Sequence, residues 1–184
     1  MRKLIAVLGL LLIVSSVSAQ TYYEMEADKD TVTMNTSVKL TCEPGNCPVS
    51  SWSLILNRPM NAAVIDVESS VGKVTDYSIN GDKLSVETFS ENPSREQLIT
   101  VEYQIGEDAE EIHDGMYLRQ ISLPGFSGEK NYGSISIENL LSTSITSGFD
   151  YTLEDNELKF AGEGPGNVDL VFGEGYTTDY YEFF

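Results

Sequence analysis

The chain has 184 residues, 29 of them acidic against 11 basic, with a formal net charge of −18. That balance disfavours binding to nucleic acid or to an anionic membrane, because no basic run exists to displace counterions from phosphates. It also sets like charges against one another across a small body, a cost that fades when salt near molar concentration shortens the screening length to roughly 3 Å. A halophilic or saline extracellular setting accounts for the composition; an ordinary acidic secreted protein is the alternative.

At the N-terminus, Arg2 and Lys3 precede the apolar run from Leu4 to Val14, and Val17-Ser18-Ala19 supplies small residues. This order of charged, apolar and small residues predicts a secretory signal over 1–19, cut after Ala19. The apolar run falls well short of the roughly 20 residues a membrane span requires, so no direct span is expected once the leader is removed. The remainder, 20–184, suffices for one large or two small domains.

Thr31 to Cys42 and Val49 to Leu56 are rich in β-branched and apolar residues and predict strands. Between them, Cys42 and Cys47, the chain's two cysteines, enclose Glu43-Pro44-Gly45-Asn46. Pro-Gly favours a tight turn that brings the ends within disulfide reach, and an oxidising compartment would pair them as a local clip. With one histidine, His113, beside them in the inventory, the soft ligands are too few for a closed zinc site. Asn35-Thr36-Ser37 is an N-glycosylation sequon, which makes Asn35 a candidate surface acceptor.

Ala62 to Val67 continues the strand pattern. Val74 to Ile79 and Leu84 to Phe89 flank Asn80-Gly81-Asp82, where Asn-Gly suits the positive φ angles of a hairpin. Gln97 to Ile105 alternates as a half-buried strand. Gly106 to Gly115 is acidic and lacks an apolar face, and it is expected to be an exposed linker or loop with at most a turn of helix. Beyond it the pattern returns at Tyr117 to Leu123, Ile135 to Ile137, Leu140 to Ile145, Gly148 to Leu153, Glu157 to Ala161, Val168 to Phe172 and Tyr176 to Phe184. The glycine-rich Gly162 to Gly166 between them is expected to be a β-turn.

Short strands recurring at roughly 8–12 residues with Gly, Pro and Asn between them indicate an all-β sandwich or barrel. The expected architecture is two β-sandwich modules, 20–105 and 116–184, joined by the acidic linker 106–115; one larger sandwich is the alternative. Val38-Lys39-Leu40-Thr41-Cys42, Trp52 in an apolar strand and Ala62 to Val67 give the first half a pattern that resembles immunoglobulin-like and cohesin-like modules of prokaryotic surface proteins, haloarchaeal ones among them. The resemblance implies an extracellular binding or spacer role and carries no catalytic residues over. The chain departs from true immunoglobulin domains, whose cysteines pair across two sheets around the tryptophan, since its own lie five positions apart.

Nucleophilic catalysis needs a base beside a serine or cysteine. His113, among Glu110, Glu111 and Asp114, is read as a solvated loop residue, and no Gly-x-Ser-x-Gly elbow occurs. Among so many acidic residues, some pair meets any glycosidase spacing by chance. Asp28-Lys29-Asp30, Glu107-Asp108 and Asp150 with Glu154-Asp155-Asn156 are oxygen-rich, but none has EF-hand spacing. No cofactor, no metal site and no catalytic residue are therefore expected. Tyr22 and Tyr23, with Tyr176, Tyr180, Tyr181, Phe183 and Phe184, could supply a sugar-stacking face, although neighbours on a strand point to opposite sides and half of them should be core. The expectation is a non-catalytic, secreted or cell-surface binding, adhesion or structural module whose partner is an envelope or extracellular protein or glycan. The alternatives are a ligand-sensing ectodomain working with a membrane partner and a carbohydrate-binding module.

Overall fold

The computed structural model describes residues 17–173 apart from 46, 60, 124–128, 147 and 155, and the backbone alone at 17 and 18. Most of the expected leader and the strand expected at Tyr176 to Phe184 lie outside the described residues. Every regular element among the described residues is a strand: β1 Val17–Ala27, β2 Val32–Cys42, β3 Val49–Asn57, β4 Ala62–Ser69, β5 Lys73–Asn80, β6 Lys83–Ser94, β7 Glu96–Ile105, β8 Glu110–His113, β9 Met116–Leu123, β10 Lys130–Ile137, β11 Leu140–Ile145, β12 Phe149–Glu154, β13 Glu157–Glu163 and β14 Gly166–Gly173. The all-β class expected from the sequence is the class observed. The strands form a seven-stranded sheet in the order β12-β13-β10-β1-β2-β7-β4, a four-stranded sheet β11-β14-β9-β8 and a three-stranded sheet β3-β6-β5.

The large sheet is built on period-two alternation. β2 turns Val32, Met34, Thr36, Val38, Leu40 and Cys42 inward and leaves the residues between them half-buried. β7 does the same with Gln97, Ile99, Val101, Tyr103 and Ile105. Side chains at alternate positions share a face, so each strand delivers one apolar stripe. Trp52, Leu54 and Leu56 of β3 join those stripes in one continuous core, with Leu84 and Val86 of β6, Ile121 and Leu123 of β9, and Val168, Leu170 and Phe172 of β14. Fully burying a side chain of this kind contributes roughly 1.5–3 kcal/mol.

β1 was not among the elements expected. Thr21, Tyr23 and Met25 are buried while Gln20, Tyr22, Glu24 and Glu26 face out, which is a regular alternation interleaved with charge. It pairs antiparallel with β2, Gln20 opposite Lys39, and parallel with β10, Gln20 opposite Lys130. Through this pair the segments on either side of 106–115 meet in one sheet. A cut after Ala19 leaves the register from Gln20 onward intact.

The segment 106–115, expected as an exposed linker or loop with at most a turn of helix, is exposed except at Ala109, which packs against the core, and at Gly115, and Glu110–His113 is a strand paired with β9. All four of its residues are exposed. The strand is therefore held by the hydrogen-bond ladder to β9 and by the turn at Gly115 (φ 69°) rather than by packing, which is why no apolar periodicity announces it. The Asn80-Gly81 hairpin forms as expected, with Gly81 at φ 62° and Asn80 opposite Lys83.

Gly133 of β10 lies where a side chain does not fit: a Cβ there would stand 2.6 Å from Phe160 Cζ and 2.8 Å from the Tyr23 carbonyl oxygen. Tyr23 and Phe160 stack across this point, ring centroids 6.2 Å apart. Gly133→Ala is expected to lower stability by roughly 1–3 kcal/mol through overpacking. Gly106→Ala, where nothing lies within 4 Å, should be close to neutral. Equal urea midpoints for the two variants would show that the β1–β10 junction is not tightly packed.

Candidate functional site

β9 sends Arg119, Ile121 and Leu123 inward and Gln120 and Ser122 outward. A guanidinium in the inward register is costly unless its donors are used. Arg119, 3% exposed, donates from Nη2 to the Asp28 carbonyl at 2.7 Å and from Nη1 to the Glu107 carbonyl. Burial pulls its pKa below the ordinary value, while the carboxylates of Asp28, Asp108, Asp30 and Glu107 act in the opposite direction. Asp28 is itself held below the usual carboxylate range, chiefly by the Thr31 backbone amide (2.7 Å), with help from the Asp30 amide (2.8 Å) and Arg119. Arg119 thus latches the β1–β2 turn and the segment after β7 onto β9.

Two of the three oxygen-rich stretches singled out in the sequence, Asp28 to Asp30 and Glu107-Asp108, are brought together here, and the cation between them is Arg119. Among the described residues no group of three or more His, Cys, Asp or Glu side chains is placed to hold a metal ion. Asp150 and Glu154 lie apart, on the edge strand β12.

The outward face of the four-stranded sheet carries two polar rows. In the first, Gln120 of β9 stands opposite Asp169 of β14, which stands opposite Ser144 of β11. Gln120 Nε2 donates to Asp169 Oδ1 at 3.1 Å, and Ser144 Oγ donates to Oδ2 at 3.2 Å. In the second, Ser122 stands opposite Asn167. The Asn167 amide donates to Thr146 Oγ1 at 2.8 Å, and that hydroxyl donates back to the Asn167 carbonyl at 3.3 Å. These rows line a cavity of about 510 Å³ whose remaining walls are Pro59, Ile105, Glu107 and Ile145. The Glu107 carboxylate accepts from Asn61 Nδ2.

A neighbouring cavity of about 450 Å³ shares Pro59, Ser122, Thr146 and Asn167 with the first and extends toward Asn57, Arg58, Asp82 and Pro165. Both fall within the roughly 300–1,000 Å³ typical of small-ligand sites. The lining of the larger one offers carboxylates, amides and hydroxyls and contains no Lys, Arg or His. Such a wall accepts and donates hydrogen bonds and repels anions.

Apart from Glu107, the residues named from the sequence lie elsewhere. Cys42, at the end of β2, and Cys47 are bonded, with Cα atoms 5.8 Å apart. Asn35 lies half-buried on the outward face of β2, between Glu24 and Glu102. His113 is exposed at the end of β8. Tyr23 is buried and Tyr22 exposed, as alternation requires. Tyr22 stacks on Tyr132 with centroids 5.5 Å apart, on the outward side of the large sheet. Burial raises the Tyr23 and Tyr103 phenols above their ordinary range, so neither ionises at neutral pH. The C-terminal aromatics lie outside the described residues. Gln120, Asn167, Asp169 and Arg119 were not anticipated. Their signal is polar residues at alternate positions of predicted strands, with one arginine in the apolar register.

No family model and no curated relative matches the chain. The fold is similar to part of yeast leukotriene A4 hydrolase: in its complex with bestatin the match has 10% identity and a TM-score of 0.53, covering 83% of this chain and 28% of that one. The native enzyme from Saccharomyces cerevisiae matches at 9% identity and TM-score 0.51, over 84% of this chain and 29% of that one. An M1 zinc metallopeptidase from Deinococcus radiodurans bound to a Tyr-Ser-Ala substrate matches at 11% identity and TM-score 0.47, over 85% and 42%. The chain thus spans less than half the length of each. At such identities the likeness to the yeast enzyme shows a shared all-β fold.

Arg119→Met is expected to lower stability by about 1–3 kcal/mol, because the Asp28 and Glu107 carbonyls lose their buried donor. The depressed Asp28 pKa adds a pH signature. Its contribution is complete above the ordinary carboxylate range and is lost as the pH falls through the lowered folded value. Asp28→Asn should therefore flatten the acid limb of the stability profile while changing little in its shape above neutrality. An unchanged acid limb in that variant would show that the Asp28 carboxylate does not set the acid dependence of stability.

Proposed function

We propose that the chain is a secreted or cell-surface-associated, non-catalytic β-sandwich module of the envelope that binds an envelope or extracellular protein or glycan. The observation that carries this reading is the cleft between the β9-β14-β11 wall and the Pro59, Ile105 and Glu107 side. It is of ligand size and lined by hydrogen-bonding groups held in place by one another. The leader pattern, the paired cysteines and the acidic surface support an oxidising, extracellular setting. Asn35, on the outward face, belongs to the same reading as a glycan acceptor.

Expression of the full chain in a secreting host should yield a processed form outside the cytoplasm that begins at Gln20 and adsorbs to envelope particles from the producing organism. A purely cytoplasmic, unprocessed pool would overturn the reading. The urea midpoint of the processed protein should rise between dilute buffer and about 1 M KCl, as screening relieves repulsion among its carboxylates. A salt-independent midpoint would detach the acidic composition from any saline role.

A further inference from the structure

We infer that the cleft is a saccharide site selective for sugars without acidic groups, an inference that rests on the binding-module reading and names its ligand. The lining excludes most other classes. Phosphate- or sulfate-bearing ligands need cationic donors, yet Arg119 faces inward with both terminal nitrogens engaged by carbonyls, and Arg58, beside the neighbouring cavity, donates from both of its own to the Ala62 and Gly81 carbonyls. A bare metal ion needs several converging ligands, and among the described residues no group of three or more His, Cys, Asp or Glu side chains is placed to hold one. A wholly apolar ligand would leave the polar rows desolvated without partners.

A ring with several hydroxyls fits what remains. Each hydroxyl both donates and accepts, as the amides of Gln120 and Asn167 and the hydroxyl of Ser122 require. Among the described residues, the Asn167 side-chain amide and the Ser122 hydroxyl make no hydrogen bond within the chain, so their capacity is open to a ligand. Asp169 keeps acceptor lone pairs beyond the two it uses, held in a fixed orientation by the cross-strand bonds. Pro59, Ile105 and Ile145 provide apolar surface for the C–H face of a sugar ring. The neighbouring cavity shares Pro59, Ser122, Thr146 and Asn167 with the first, which lengthens the cleft and favours an oligomer over a single ring. An amino sugar is admitted as well, because Glu107 and Asp169 attract an ammonium group.

The test is binding of the processed full chain to immobilised neutral oligosaccharides (cello-, manno- and xylo-oligomers) and chitosan oligomers, with polygalacturonate and heparin as acidic controls. Binding is expected to a neutral or amine-bearing series and to neither control. Asp169→Asn and Gln120→Ala should each weaken it about tenfold or more, as loss of a hydrogen bond to a charged or ligand-facing group implies. Tyr22→Ala, on another sheet face, should bind as the parent does, and circular dichroism of each variant should match it. Failure of the folded parent to bind any neutral or amino sugar overturns the inference, and so does undiminished binding by both cleft variants. Periodate, which cleaves vicinal diols, separates this inference from the reading beneath it. Adsorption to envelope particles that survives periodate treatment overturns the saccharide while leaving the binding module. Absence of adsorption to untreated particles overturns the module itself.

Discussion

The fold depends on the parallel pairing of β1 with β10. The strands before the acidic segment and those after it would otherwise each end in an unpaired edge at the place where β1 stands. Exposed edges of that kind are a liability in any β protein. By pairing β2 on one side and β10 on the other, β1 converts two edges into the middle of a seven-stranded sheet. Its inward residues Thr21, Tyr23 and Met25 then lie at the centre of the core. The close approach of Tyr23 to Phe160 over Gly133 is the local expression of that constraint. A parallel pair cannot be closed by a short hairpin, so every residue from Asp28 to Glu129 intervenes between two neighbouring strands. The large sheet is completed only when both ends of the chain have come together.

Electrostatics impose a second condition. In a chain with 29 acidic residues and 11 basic ones, a buried cation is a scarce resource. Arg119 is placed where three segments converge, and its hydrogen bonds go to backbone carbonyls rather than to carboxylates. The surrounding acids, Asp28, Asp30, Glu107 and Asp108, act at longer range and offset the desolvation of the guanidinium. The result is a fixed path for the chain after β7, which carries Glu107 to the rim of the cleft. Surface ion pairs such as Lys39–Glu96 (3.0 Å) and Lys159–Glu157 (3.2 Å) are solvated and contribute little by comparison.

Where alternation was uninterrupted, the sequence was a sufficient guide. β2, β7 and the β5–β6 hairpin were readable because apolar residues recur every second position and Asn80-Gly81 marks the turn. β1 was not, for a physical reason: its outward positions are Glu24 and Glu26, its start adjoins an apolar leader pattern, and its inward Thr21 is polar. β8 has no inward face and exists only as a ladder partner, so periodicity carries no information about it. The cleft was hidden for a different reason. Gln120, Ser144, Asn167 and Asp169 are unremarkable as sequence neighbours, and only the register of β9, β14 and β11 aligns them into rows. Loop composition drew attention instead to Asp28-Lys29-Asp30 and Glu107-Asp108, whose proximity was not foreseeable and whose partner proved to be an arginine.

A shared fold with a stretch of a hydrolase chain does not transfer chemistry, since function resides in the residues placed on a scaffold rather than in the scaffold. Within this chain, the outward sheet faces differ in which positions carry hydrogen-bonding side chains. On the outward face of the large sheet, Glu24, Glu102 and Glu157 share a solvated surface with Thr33, Ser37, Thr100 and Ser134. Along the cleft on the four-stranded sheet, Gln120, Ser122, Ser144, Asn167 and Asp169 instead supply amides, hydroxyls and a carboxylate, walled by Pro59 and Ile105 from distant parts of the chain. Cross-strand bonds such as Gln120–Asp169–Ser144 cost side-chain entropy and return little stability on a wet surface. The apolar stripes already support the fold, so in the proposed reading the Gln120–Asp169–Ser144 bonds serve to hold these groups in a fixed orientation toward a ligand.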